Sequence, residues 1–172
     1  MNVALFDSIQ TQLLTNVTYD SASISTVLLW NDQLHSLKGE DPDAPVTLAL
    51  PALFIEFMNL ETEQLGNGNQ VYANLTVRIH ILDRLEDAGD GTLEQNLAVL
   101  ALRDSVQMAL QNFRPAGASE FIRQNQMMDY NHNNVYHYIM DYGCTYVDTI
   151  TNQPVNGVTD NGPITPVINL TI

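Results

Sequence analysis

Residues 70–82 read QVYANLTVRIHIL, and their alternation decides the fold. Val71, Ala73, Leu75, Val77, Ile79 and Ile81 point one way along an extended strand, while Tyr72, Asn74, Thr76, Arg78 and His80 point the other. One apolar face and one wet face describe an antiparallel sheet, because a parallel strand is apolar on both. Just before this run, residues 65–69 (LGNGN) place two glycines where a hairpin needs positive φ. The strand entering that turn is Ala52–Met58, opened by Pro51, whose missing donor is tolerated at a strand start. A β-hairpin is therefore expected around the glycine turn.

Further elements follow outward in both directions. Val3, Phe6, Ile9, Leu13 and Leu14 recur at three- and four-residue steps and predict an N-terminal amphipathic helix. Residues 16–25 are rich in Thr, Ser, Asn and Asp, which compete for backbone hydrogen bonds and mark a loop. Residues 24–30 (ISTVLLW) read as a short strand, broken by Asn31 and Asp32. Thr92 and Gln95 match a capping box, opening a helix over 93–113 that Pro115 and Gly117 stop. Its apolar stripe is Leu97, Leu100, Leu102, Val106, Ala109, Leu110 and Phe113. Strands are expected over 120–129 and 135–148, the second lining Tyr136, Tyr138, Met140, Tyr142, Cys144 and Tyr146 on one face. The class is α+β: an antiparallel or mixed sheet of about five strands with two main helices, in the order α-β-β-β-α-β-β.

From Thr149 the pattern changes. Residues 149–166 hold Pro154, Gly157, Gly162, Pro163 and Pro166 and nothing periodic. Residues 167–172 (VINLTI) alternate Ile168, Leu170 and Ile172 against Val167, Asn169 and Thr171. The chain thus divides into an α+β domain over 1–148 and an extended C-terminal arm over 149–172. Such an arm suits addition to a sheet edge, its own or a neighbour's.

Composition excludes several functions. The 172 residues carry 6 Lys+Arg against 20 Asp+Glu, a net charge of −14. So few cations disfavour gripping a nucleic-acid backbone or an anionic membrane surface. The single Cys144 excludes an intramolecular disulfide framework and a multi-cysteine zinc site. The chain has no 18-residue apolar run, and residues 1–10 lack the marks of a signal peptide, so a soluble protein made in a cytoplasm is expected.

No constellation argues for an enzyme. There is no G-x-S-x-G elbow, and His35, His80, His132 and His137 are scattered. His137 and Cys144 lie seven apart in one strand, hence on opposite faces and about 23 Å from each other. Residues 83–94 have the outline of a calcium loop, but the third position is Leu85 and the sixth is Ala88. A solvated acidic loop is the better reading, and neither a metal nor a cofactor is expected. Glu56 and His80 can meet across the hairpin as an ordinary cross-strand pair. An enzymatic reading would have to use Glu56, His80 and Asp83. Tyr136, Tyr138, Tyr142 and Tyr146 either cover the core face of the sheet or present an interface.

The order of elements resembles a known family. Residues 26–31 (TVLLWN), 51–57 (PALFIEF), 77–82 (VRIHIL) and 138–148 (YIMDYGCTYVD) resemble the tail terminator and neck-ring (head-tail connector) proteins of tailed bacteriophages, over about residues 1–148. The resemblance implies a structural virion protein of the tail or neck, made in the host bacterial cytoplasm. It implies a homo-oligomeric ring, commonly six- or twelve-fold, that meets other phage tail or connector proteins. DNA would pass through its channel without specific binding, and no membrane, cofactor or catalytic residue is implied. On this reading Ile168, Leu170, Ile172, Tyr136 and Tyr138 are expected at subunit interfaces, and Glu40, Asp41, Asp43, Asp87 and Asp90 facing the channel. The alternative is a ferredoxin-like binding or regulatory module of bacterial origin, also non-enzymatic.

Overall fold

A computed structural model describes residues 3–34, 49–64, 69–84, 93–129 and 135–149. In chain order the elements are α1 (Val3–Asn16), β1 (Thr18–Tyr19), β2 (Ala22–Ser23), β3 (Val27–Leu29), β4 (Ala52–Met58), β5 (Glu63–Gln64), β6 (Gln70–Arg84), α2 (Leu93–Leu110), β7 (Ile122–Asp129) and β8 (Val135–Asp148). The main sheet runs β3-β4-β6-β8-β7, with β5 beside β6. All its pairings are antiparallel except β3–β4. The fold is α+β with a mixed sheet, as expected, although three two-residue strands make the order only a loose match. Residues 65–68 of the glycine turn lie outside the described residues. So do Glu40, Asp41, Asp43, Asp87, Asp90, Ile168, Leu170 and Ile172.

Both helices pack on one face of the sheet. Leu5, Ile9 and Leu13 of α1 and Val99, Leu102, Val106, Ala109 and Leu110 of α2 join Leu53, Ile55, Val77, Ile79, Ile81, Met140 and Tyr142 in one core. The buried stripe of α1 follows the i, i+4, i+8 row, so Val3 falls off it and is 71% exposed. Leu97 and Leu100, expected in the stripe of α2, are instead 52% and 41% exposed. The helix ends at Leu110 rather than Phe113. Asn112 turns to φ 62° and donates to the Phe121 carbonyl, which starts the return to the sheet. Phe113 packs edge-on to Phe121 beyond that turn.

Three other expectations change. Residues 24–30 shrink to the three-residue β3, parallel to β4. The stretch separating the two strands is long enough for the crossover that parallel pairing requires. Residues 16–25 are not only loop, because β1 and β2 close a two-residue hairpin with Asp20 and Ser21 both at positive φ. The clean alternation of β6 is broken as well. Tyr72 opposes Tyr146 while Leu75 opposes Cys144, so a β-bulge sits between them. The bulge swaps faces: Tyr72 enters the helix-side core with Leu75, and Val71 leaves it.

Ile79 is fully buried at the centre of this face, on the central strand. Ile79→Ala should lower unfolding free energy by about 2–5 kcal/mol in urea titrations, since the surrounding strands cannot collapse into the cavity. An effect under about 1 kcal/mol would contradict this packing.

Candidate functional site

The helix-free face of the sheet carries different chemistry. Its residues are Phe54 and Glu56 on β4, Arg78, His80 and Leu82 on β6, His137, Ile139 and Asp141 on β8, and Asn125, Met127 and Asp129 on β7. At one end Ala52, Phe54 and Leu82 form a small apolar cluster with Leu34, beneath Trp30. Trp30 then lies flat on His80, with ring centres 3.8 Å apart and planes 5° from parallel.

Beneath Trp30 a chain of four side chains crosses four strands. Glu56 Oε2 meets His80 Nε2 at 3.0 Å, and His80 Nδ1 meets His137 Nε2 at 2.9 Å. His137 Nδ1 meets Asp129 Oδ2 at 3.3 Å. Both imidazoles are 3% exposed. The adjoining row is a separate ion pair in which Arg78 donates from Nε and Nη2 to the two oxygens of Asp141, at 2.7 and 3.1 Å. That fork geometry is the strong form of an arginine–carboxylate contact.

Proton counting defines the state of the chain. Three hydrogen-bonded links between two carboxylates need three protons, and two neutral imidazoles supply two. Burial, then the neighbouring His137 and Arg78, pull His80 down to about 3, against the smaller upward pull of Asp141. His80 is therefore neutral, donating from Nε2 to Glu56 and accepting at Nδ1 from His137 Nε2. In the neutral pair, His137 Nδ1 then turns a lone pair toward Asp129, and that link is the longest of the three.

The sequence-expected residues fall as follows. Glu56 and His80 meet as the cross-strand pair anticipated above. Asp83 does not join them, because it opposes Tyr136 on the helix side. There Tyr19 is its neighbour, and burial together with Asp83 pushes the Tyr19 hydroxyl up to about 12. Cys144 is also on the helix side, where burial raises its thiol to about 11 and leaves it unreactive. Tyr136 and Tyr138, 7% and 8% exposed, stack on each other inside the core of this chain. His137, Asp129 and Trp30 were not anticipated as partners. The alternation of β8 puts His137 on the helix-free face, but only the β6–β8 register brings it to His80.

Chemically, the chain joins two carboxylates through two imidazoles. The described residues place no nucleophile beside it and no three His, Cys, Asp or Glu side chains in a metal-binding group. No family model and no curated protein matches this chain. Among the described residues no helix is long and apolar enough to cross a membrane. An open, shallow groove runs along α1, where Ala4, Ser8, Thr11 and Thr15 face Phe113. Asp7 is the one ionisable side chain in its lining, and no histidine, cysteine or lysine accompanies it there. The histidine chain reads as a structural polar stitch.

A pH dependence follows with a definite sign. An unfolded histidine titrates near 6.5, and His80 in the fold near 3. Between those values the unfolded chain binds the extra proton, so stability is complete above about pH 6.5 and falls on acidification, by at most about 1.4 kcal/mol per pH unit. His80→Gln, neutral at every pH, should lower stability at pH 7.5 by about 1–3 kcal/mol and flatten the decline between pH 6.5 and 4.5. Imidazole nitrogen NMR should show His80 as the neutral Nε2–H tautomer at pH 5. A normal titration of His80 near 6.5 would contradict the assignment.

Proposed function

We propose that this chain is a structural protein of a tailed-bacteriophage virion, a tail terminator or neck protein. It assembles into a ring at the head–tail junction or tail end, around the DNA channel, and has no enzymatic activity. The segments that carry the family resemblance become β3, β4, β6 and β8, the frame of the sheet.

One observation carries the reading: among the described residues the sheet ends in two different unpaired edges, β3 and β7, on opposite sides, and each exposes apolar residues. On β3 these are Leu28 and Leu29, 46% and 52% exposed; on β7 they are Ile122 and Met127, 46% and 43% exposed. Closing a ring is heterologous, so each subunit needs two distinct surfaces rather than one self-complementary patch. On the helix layer, Leu97, Leu100 and Met108 are exposed as well, Met108 by 76%. The net charge of −14 suits a channel that lets DNA pass, and the acidic residues Glu40, Asp41, Asp43, Asp87 and Asp90 are proposed to face it.

Negative-stain images and solution mass of the purified full chain should show a closed ring of defined order. Ile122→Lys with Met127→Lys, at exposed positions on β7, should leave stability within about 0.5 kcal/mol but abolish the ring. A discrete monomer or dimer at all concentrations, with and without neighbouring tail proteins, would favour the binding-module alternative.

A further inference from the structure

We propose that the free edge of β7 receives residues 167–172 of a second copy of this chain as an added antiparallel or parallel strand, with Ile168, Leu170 and Ile172 on the helix-free side. The inference rests on the ring reading and names the contact that would join neighbouring subunits.

The acceptor is defined by the fold. β7 is the last strand of the sheet order, eight residues long, and Ile122 to Met127 are all exposed. At about 3.4 Å per residue it presents an edge of roughly 27 Å. Among the described residues no strand pairs with that edge. Its two faces differ. Arg123, Gln126 and Met128 oppose Tyr142, Met140 and Tyr138 on the helix side, with Arg123 bonded to Gln126 at 3.0 Å. Ile122 and Met127 lie on the other side, Met127 in the row of Ile139 and His80 and Ile122 in the row of Gly143 and Thr76. A strand with one apolar face therefore has one preferred orientation on this edge.

The donor is defined by the sequence. VINLTI puts Ile168, Leu170 and Ile172 on one face and Asn169 and Thr171 on the other, and its six residues span about 20 Å. It carries no charged side chain to desolvate. Pro166 immediately before it keeps the preceding segment from continuing the strand.

Chain length favours a neighbour over the chain's own edge. From Asp148, at the end of β8, to the outer side of β7 at Ile122 is two strand spacings across and five residues along, about 20 Å. About six extended residues cross such a gap. Residues 150–166 span up to about 56 Å, more than twice the need. That surplus reaches past the sheet's own edge to an adjacent subunit. Direct edge-to-edge pairing between copies is the weaker solution, because β3 offers only three residues and would leave most of β7 open.

Mixed cross-linking tests this on the full chain. One population carries Met127→Cys with an affinity tag, the other Leu170→Cys without it, and a short bis-maleimide joins them; the buried Cys144 serves as the unreactive control. The expected result is a tagged–untagged heterodimer recovered from the ring, with at least tenfold more product than either population alone. Ile168→Asp with Leu170→Asp should remove that product, lower the solution mass to that of the single chain, and speed hydrogen exchange of β7 amides at least tenfold. A ring that persists in that variant with unchanged β7 protection overturns the strand addition and leaves the ring reading standing. So does a Met127→Cys/Leu170→Cys double variant that cross-links only within one chain while the ring remains. A full chain that is monomeric at every concentration overturns both.

Discussion

The pairing of β6 with β8 is the constraint on which the rest of this structure depends. These strands, 15 and 14 residues long, align from Gln70–Asp148 to Arg84–Val135 with one bulge. Because side chains alternate with period two, this register decides everything on both faces. It places Ile79, Ile81, Tyr138 and Met140 under the helices and brings His80 and His137 together on the opposite side. A slip of β8 by one residue would drive His137 and Asp141 into the core and turn Tyr138 and Met140 out of it. The histidine contact and the Arg78–Asp141 fork hold only in the observed register, so polar and apolar faces specify the same alignment.

That agreement explains what was legible in the sequence. β4, β8 and the hairpin were readable because their signals are local: alternation, a proline start and a glycine turn. The Glu56–His80 contact was readable as one between facing strands, although the register opposes Glu56 to Arg78 and His80 to Phe54, so the two meet diagonally. His80 and His137 are 57 residues apart, and no local pattern states which residue of β8 opposes which of β6. The bulge in β6 was equally hidden. Val71, Ala73 and Leu75 form a perfect alternation, and only the need to seat both Tyr72 and Tyr146 in the core breaks it. On α2 the apolar pattern is wider than the surface available to bury it. Leu97 and Leu100 therefore lie outside the core despite matching the helical period.

Buried polar rows of this kind stabilise less than they specify. Two imidazoles and their carboxylates lose water on entering the sheet, and the hydrogen bonds they gain largely offset that cost. Their contribution is conformational, because a link such as His80–His137 is lost when strands slide or twist. Trp30 closes the row from above by stacking on His80, and it follows directly from β3. The parallel edge strand, short as it is, is thereby tied to the centre of the sheet through a ring contact as well as through the backbone bond from Trp30 N–H to the Ile55 carbonyl.

Charge sets the terms on which copies of this chain can meet. Each brings a net −14, and Arg78 and Arg103 are already engaged by Asp141 and Asp104. Association between copies cannot rest on complementary fields, since every copy presents the same excess of one sign. At physiological salt, repulsion is screened beyond about 8 Å, so it opposes distant approach weakly and close ionic contact strongly. What remains attractive at short range is neutral: exposed Leu28, Leu29, Ile122 and Met127, and the backbone groups of sheet edges. Backbone pairing adds hydrogen bonds without adding charge, and an uncharged segment such as VINLTI brings none of the repulsion with it. For a chain this acidic, contact through strands is the route that electrostatics leaves open.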